Sequence, residues 1–186
     1  KDLRCFKRII KLLKIGDRKM KKIGLFYSFN TKNTSTAAEI ILKAFGEKEI
    51  ESVNVEEATE DDFDKFSQFI LGVPTWWDGE LPNYWDEFLP SVEENSLEGK
   101  TFAIYGAGDQ KGYPDNFVDA IGVMADFIES RGGKIIGFTP NEGYIFDQSQ
   151  ALRDGVFVGL PLDFENQAGN VQASVEAWVK QLKKEF

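Results

Sequence analysis

The chain has 186 residues, 42% of them hydrophobic, which suits one domain with a proper core and excludes intrinsic disorder. It has no histidine and a single cysteine, Cys5, which excludes His-based catalytic triads, His metal ligands, an intrachain disulfide and a cysteine-ligated zinc or iron–sulfur site. The net charge of the chain is −9, but residues 1–22 hold ten Lys/Arg and two Asp. The remainder carries 12 basic and 29 acidic residues, a net charge of −17. This charge disfavours binding to nucleic acid and favours binding to basic protein partners.

The first twenty residues, KDLRCFKRIIKLLKIGDRKM, differ in composition from everything after them. Their apolar residues would line one side of a short basic amphipathic helix, too short for a membrane span and without the long apolar region of a secretory signal. Three interpretations stay open: sequence upstream of a natural start at Met20 or a leader, the remnant of a targeting segment, or a surface anchor. We expect a basic N-terminal extension over residues 1–20 and one domain over residues 21–186.

Strand-like and helix-like patterns alternate along that domain. Buried strands are predicted at residues 21–28, 50–55, 66–74, 100–108 and 133–140. Helices are predicted at residues 34–45, 58–66, 81–92, 116–133 and 171–186. This alternation predicts an α/β fold, a doubly wound five-stranded parallel sheet with helices on both faces. Ligands of such folds bind at the carboxyl ends of the strands.

Residues 141–163, NEGYIFDQSQALRDGVFVGLPLD, interrupt the simple alternation. The segment VFVGLPLD could resume the fifth strand after an excursion of about twenty residues, which costs a fold little entropy. The excursion is either a surface insertion without a chemical role or a functional loop.

Three loops leave the carboxyl ends of the predicted strands. The first, SFNTKNTST (28–36), precedes a helix and offers side-chain donors together with backbone N–H groups, which favour an anion. A plain helix cap is the alternative, and no P-loop pattern is present. The second loop holds Trp76, Trp77, Asp78 and Gly79, and the third contains Tyr113. A flat aromatic ligand between Trp76 and Tyr113, with its phosphate on the first loop, would unite all three.

Three segments carry a family resemblance. TKNT, PTW–DGELP and G–GDQKGYPDNFVDAIG resemble, in this order, the phosphate loop and the two flavin-flanking loops of the flavodoxins. The similarity covers residues 21–186, and ALRDGVFVGLPLDFENQ and WVKQLKKEF are similar to the C-terminal part of the family. The resemblance implies a flavodoxin-like sheet of strand order 2-1-3-4-5, with the insertion in the last strand that marks the long-chain subgroup.

The resemblance also implies a binding site for flavin mononucleotide (FMN), with no metal and no catalytic residue. Thr31 and Thr34, with the backbone amides of residues 29–35, would bind the phosphate, and Trp76 and Tyr113 would cover the two flavin faces. The peptides around Asp78 would meet flavin N5, and backbone at the third loop would meet the pyrimidine edge. The full set implied is Phe29, Asn30, Thr31, Lys32, Asn33, Thr34, Thr75, Trp76, Trp77, Asp78, Gly79, Ala107, Gly108, Asp109, Tyr113 and Asn116.

Three residues depart from the family pattern. Phe29 stands where a Ser or Thr is usual, Lys32 where Gly is usual, and Ala107 where Thr is frequent. A non-glycine residue in a left-handed conformation costs roughly 1–2 kcal/mol, so Lys32 indicates that the loop does not need that conformation here. The Lys32 ammonium either attracts the phosphate or points into solvent.

The function that the resemblance implies is a low-potential one-electron carrier, not an enzyme. Partners would be basic redox proteins of the ferredoxin–NADP reductase type, with photosystem I or nitrogenase as further candidates. The carrier would be a monomer. It would be located in the cytoplasm, or in the plastid stroma if residues 1–20 are a targeting remnant. A flavin-dependent NAD(P)H or quinone reductase on the same fold is the alternative. A receiver-type signalling domain needs acidic residues where this chain has SFNT and PTWW, and a module that has lost FMN is a further alternative.

Overall fold

Five parallel strands form the centre of the protein, a computed structural model that describes residues 23–46 and 48–186. The predicted extension over residues 1–20 lies outside the described residues. The strands are β1 (Ile23–Tyr27), β2 (Ile50–Asn54), β3 (Gln68–Gly72), β4 (Thr101–Ala107) and β5 (Lys134–Ile136). Their order is β2-β1-β3-β4-β5, with Ile70 opposite Leu25 on one side and Ala103 on the other, and this confirms the predicted sheet.

The fifth position of the sheet is shared by two strand segments. Between them the chain forms a small antiparallel sheet from β6 (Thr139–Pro140), β7 (Leu152–Arg153) and β8 (Val156–Phe157), in the order β6-β8-β7. The main sheet resumes at β9 (Leu160–Leu162), which pairs with the carboxyl half of β4, whereas β5 pairs with its amino half. The predicted insertion in the last strand is therefore confirmed.

Helices connect the strands and cover both faces of the sheet. They are α1 (Lys32–Phe45), α2 (Glu60–Phe63), α3 (Asn83–Phe88), α4 (Asp119–Ser130) and α5 (Val171–Glu185). Short 3₁₀ turns lie at Leu89–Val92, Pro114–Asn116 and Ala168–Asn170. The helix predicted over residues 58–66 is only one turn long, although the expected start is present as a reciprocal Thr59–Asp62 capping box.

A separate apolar core lies on each face of the sheet. On one face α2, α3 and α4 cover an aromatic cluster in which Phe69 stacks on Phe63 and Phe102, with ring centroids 4.5 and 4.7 Å apart. On the other face α1 and α5 pack over the sheet around Tyr105 and Trp178. The two cores hold the carboxyl ends of β1, β3 and β4 in place on a rigid frame. In the described part of the chain, no helix is long and apolar enough to cross a membrane.

Candidate functional site

A cleft runs along the carboxyl ends of β1, β3 and β4. It consists of two adjoining hollows of about 340 and 670 Å³, a size typical of small-molecule sites. The two hollows share the wall residues Thr75, Trp76, Gly108, Asp109 and Tyr113. The second and third loops supply this shared wall, and the first loop lines the larger hollow, so one ligand that spans both hollows can contact all three loops.

The first loop ends in an anion-binding geometry. Helix α1 begins at Lys32, so the N–H groups of its first three residues have no partner within the helix, and they lie at the positive end of a 14-residue helix dipole. Thr34 is only 2% exposed, and its hydroxyl has no hydrogen-bond partner among the described residues although the residue lines the cleft. A buried hydroxyl beside free amides is a site that an anionic oxygen would satisfy.

The start of α1 is anchored to the sheet. The buried Tyr105 hydroxyl donates to the Thr34 carbonyl at 3.1 Å, and a Cβ atom at Gly72 would lie 2.6 Å from the Thr34 methyl group. Lys32 adopts the helical conformation and is absent from the residues with positive φ, so the loop needs no glycine at this position. Among the described residues that line the cleft, Lys32 is the only basic one.

Three aromatic residues line the part of the cleft beyond that helix: Trp76 and Tyr113, which line both hollows, and Trp77, which lines the smaller one. Trp76 is half-buried and packs edge-on against Tyr84, with ring centroids 5.7 Å apart and an interplanar angle of 87°. Tyr113 is 59% exposed and lines both hollows. Burial raises the pKa of Tyr84, and the nearby Glu56 carboxylate raises it further, so Tyr84 stays neutral beneath Trp76.

A tight turn follows Trp76. The backbones of Trp76 and Glu80 exchange two hydrogen bonds of 3.0 and 2.9 Å, which closes the turn over three residues. Two of those residues have a positive φ, 47° at Trp77 and 97° at Gly79. A Cβ atom at Gly79 would lie 2.8 Å from Asp119 Oδ2, so both the conformation and the space require glycine there.

A buried carboxylate supports the turn from below. Asp119 accepts hydrogen bonds from the Gln150 backbone N–H at 2.7 Å and from the Gln150 side chain at 3.0 Å. The Asn116 side-chain amide donates to the Asp78 carbonyl at 3.1 Å and lies 3.5 Å from Asp119 Oδ2. The turn is thereby tied to α4 and to the insertion, which gives the insertion a role in shaping the cleft wall.

The third loop is fixed by Asp109. One carboxylate oxygen accepts from the Lys111 and Gly112 backbone N–H groups, at 3.0 and 2.9 Å, and from the Asn166 side chain at 2.7 Å. The hydrogen bond from Gly112 is the largest of the causes that lower the pKa of Asp109. Gly108 has no room for a side chain, because a Cβ atom there would lie 2.9 Å from Val118 Cγ1.

The structure brings together every residue of the predicted set except Phe29, Asp78 and Gly79, which do not line the cleft. Phe29 lies beside it, half-exposed, with its ring 4.9 Å from that of Tyr27. The cleft also includes Pro74 and Glu165, which the sequence patterns did not single out. Glu165 follows β9, the resumed strand. Its position just after the carboxyl end of a strand could have predicted that it lies at the cleft.

Comparison with known proteins shows the family to which the chain is related. The family model described as flavodoxin matches residues 25–178, most of the chain. The chain belongs to the flavodoxin family. Among curated flavodoxins, that of Synechocystis sp. is 45% identical over 165 residues, covering 88% of this chain and 97% of the relative. The Klebsiella pneumoniae flavodoxin is 40% identical over 173 residues, covering 89% of this chain and 98% of the relative.

Solved flavodoxin structures agree with the fold. The crystal structure of Fusobacterium nucleatum flavodoxin bound to flavin mononucleotide matches with a TM-score of 0.84 at 32% identity. The match covers 90% of this chain and 99% of the other. The similarity therefore extends over the whole flavodoxin domain, including the loops that form the cleft.

Proposed function

We propose that this chain is a low-potential one-electron carrier that binds FMN non-covalently in the cleft. The observation that carries the proposal is the Thr34 hydroxyl, which is buried in the cleft wall and unpaired among the described residues, beside the free amides of α1. The FMN bound to the Fusobacterium nucleatum flavodoxin supports the same cofactor here.

The phosphate group would lie at the start of α1. The backbone N–H groups of Lys32, Asn33 and Thr34 would donate to it, together with the Thr34 hydroxyl, and Lys32 would supply the positive charge. Thr31 and Asn30 line the same part of the cleft. Phe29 offers no side-chain donor, and its backbone N–H already donates to the Asn54 side chain at 3.3 Å.

The flavin ring would lie between Trp76 and Tyr113, which line both hollows. Trp77 lines the cleft, and its peptide bond to Asp78 would face flavin N5, while the backbone at Gly108 and Asp109 would face the pyrimidine edge. These groups bind and orient the ring, and none of them has to act as an acid, a base or a nucleophile.

When bound, FMN supplies one- and two-electron redox chemistry. The contribution of the protein is electrostatic: the domain after residue 22 carries a net charge of −17, which disfavours further negative charge on a bound cofactor. The two aromatic residues would exclude water from the ring faces, which strengthens that effect. Both would lower the potential at which bound FMN accepts its last electron.

The chain is an electron-transfer protein and not an enzyme with its own substrate. Coverage of both ring faces would leave no space for a second substrate to stack on the flavin, which a flavin-dependent NAD(P)H or quinone reductase requires. The curated relatives bear the name flavodoxin, so the reductase alternative is not favoured.

The partners are other redox proteins. We propose that they present basic surfaces, because an acidic carrier attracts them over long range. We propose a ferredoxin–NADP reductase type, photosystem I and nitrogenase as candidate partners, with the carrier as a monomer. We propose the cytoplasm as the location, or the plastid stroma if residues 1–20 are a targeting remnant ahead of the domain at 21–186.

Titration of the cofactor-free protein with FMN tests this function. We expect one FMN per chain and strong quenching of flavin fluorescence, because an aromatic contact with the ring provides a quenching path. The purified complex should not oxidise NADH or NADPH at a steady rate without a partner. Failure to bind FMN would overturn the proposal, and steady NAD(P)H oxidation would favour the reductase.

A further inference from the structure

A closed ring of hydrogen bonds lies behind the first loop. The Ser28 hydroxyl donates to one carboxylate oxygen of Glu56, and the Asn30 side-chain amide donates to the other at 2.7 Å. The Asn30 backbone N–H donates to the Ser28 hydroxyl oxygen at 3.1 Å and completes the ring. Both oxygens of one glutamate are thus occupied by donors from the loop that precedes α1.

The ring connects two segments that are far apart in the sequence. Ser28 is fully buried at the end of β1, whereas Glu56 is exposed and follows β2. The Asn54 side-chain oxygen strengthens the connection, because it accepts from the backbone N–H groups of Phe29 and Glu56 at 3.3 and 3.4 Å. Glu56 and Asn54, which hold the loop from the β2 side, do not line the cleft, whereas Asn30 of the loop does.

Ser28 also connects the ring to the start of α1. The Ser28 carbonyl accepts from the hydroxyls of Thr31 and Ser35, at 2.9 and 3.3 Å, so Ser28 is bonded to both the loop and the first turn of the helix. With the Phe29 and Asn30 amides already engaged, the donors left for an anion are those at the start of α1. Their direction depends on the backbone that the ring holds.

We propose that Glu56 is a positioning residue for the phosphate end of the bound cofactor, acting through Ser28 and Asn30. This inference rests on the proposed function. The effect that we propose for Glu56 on FMN affinity is opposite to that of its charge, because a carboxylate near an anion site weakens anion binding by repulsion. If Glu56 acted by charge alone, its neutralisation would tighten FMN binding, whereas a positioning residue weakens binding when it is neutralised.

The test compares FMN with riboflavin, which carries the same ring system without the phosphate. Dissociation constants of both ligands are measured by flavin fluorescence for the full chain and for Glu56→Gln, Ser28→Ala and the double variant. Glu57→Gln is the matched control, because Glu57 is the adjacent exposed glutamate and its side chain makes no hydrogen bond to the described residues. Circular dichroism of each cofactor-free variant checks that it is folded.

We expect Glu56→Gln and Ser28→Ala each to weaken FMN binding about tenfold, the usual effect of a hydrogen bond to a charged group. The double variant should be no weaker than the weaker single variant, because both changes break the same ring. Riboflavin binding should stay within about twofold in all variants, and Glu57→Gln should not weaken FMN binding.

Unchanged or tighter FMN binding in Glu56→Gln would overturn the positioning role, as would an equal loss of riboflavin affinity. Because Ser28→Ala breaks the ring from its other side, a folding defect in one variant leaves the other to decide. If the unaltered chain did not prefer FMN to riboflavin, the proposed phosphate site itself would be wrong, which distinguishes that failure from the failure of the Glu56 inference.

Discussion

Replacement of Thr34 by valine should change the stability of the cofactor-free protein and its affinity for FMN in opposite directions. Valine keeps the shape of threonine and exchanges only the hydroxyl for a methyl group. Since that hydroxyl is buried without a partner among the described residues, the cofactor-free protein bears the cost of its lost hydration. The hydrogen bond that anchors this residue to Tyr105 uses the backbone carbonyl and survives the change.

The expected magnitudes follow from these contacts. Removal of an unsatisfied buried hydroxyl should raise the free energy of unfolding by about 1 kcal/mol, at the low end of the usual cost. For a chain of this size that corresponds to a rise of about 2–4 °C in Tm. Loss of a hydrogen bond to a charged phosphate should cost about 1.5–3 kcal/mol, or roughly 10- to 150-fold in FMN affinity.

Two measurements check this prediction: thermal unfolding of the cofactor-free protein and fluorescence titration with FMN. Thr36→Val is the control, because Thr36 lies on the exposed side of the same helix and its hydroxyl donates to the Lys32 carbonyl at 2.9 Å. The control should leave FMN affinity unchanged. A cofactor-free Thr34→Val protein of lower stability together with unchanged FMN affinity would refute the reasoning.

Three further predictions concern the other two loops. Trp76→Ala should weaken FMN binding by about tenfold or more and relieve the quenching of flavin fluorescence, and unchanged quenching would contradict the assigned ring contact. Trp77→Gly should stabilise the cofactor-free protein by about 1 kcal/mol in chemical denaturation, since Trp77 is 71% exposed and has a φ of 47°; a loss of stability would show that the turn is not strained. Asp109→Asn should lower Tm at neutral pH. Because the pKa of Asp109 is lowered in the folded protein, its carboxylate stabilises the fold above the ordinary pKa of 3.8. This stabilisation is lost as the pH falls through the lowered pKa. Thermal unfolding from pH 7 to pH 3 should therefore show the difference between the variant and the unaltered chain shrinking, and a difference independent of pH would contradict it.

Much of the fold could be predicted because the patterns that specify it are local. The apolar run of β1 and the buried spacing of Ala37, Ala38 and Ile41 in α1 are direct products of burial on a sheet that is covered on both faces. The divided last strand was also readable, since VFVGLPLD has the apolar character of a strand. The short length of α2 was not predicted: Phe63 at its end packs against Phe69 of β3 and Phe102 of β4, and these long-range contacts leave no local pattern in the sequence.

The site could be predicted only as a set of loops. The positions of the strand ends predict which residues line the cleft together. They do not predict the orientation of each side chain, because that orientation depends on long-range contacts. Phe29 illustrates this, because its ring packs on Tyr27 outside the cleft. Glu56 illustrates it more strongly: it lies 28 residues from Ser28, and nothing in the local sequence indicates that the two are bonded. The positive φ of the β-branched Val118 likewise has no local signal.

The most direct test of an FMN-dependent one-electron carrier is a spectroelectrochemical titration of the purified protein with FMN bound. We expect two well-separated one-electron steps, with a blue species accumulating between them and the second step at the lower potential. We expect the low second step because the domain is acidic and because Trp76 and Tyr113 would cover the flavin faces. A single two-electron step without the blue species, or protein that binds no FMN, would contradict the account.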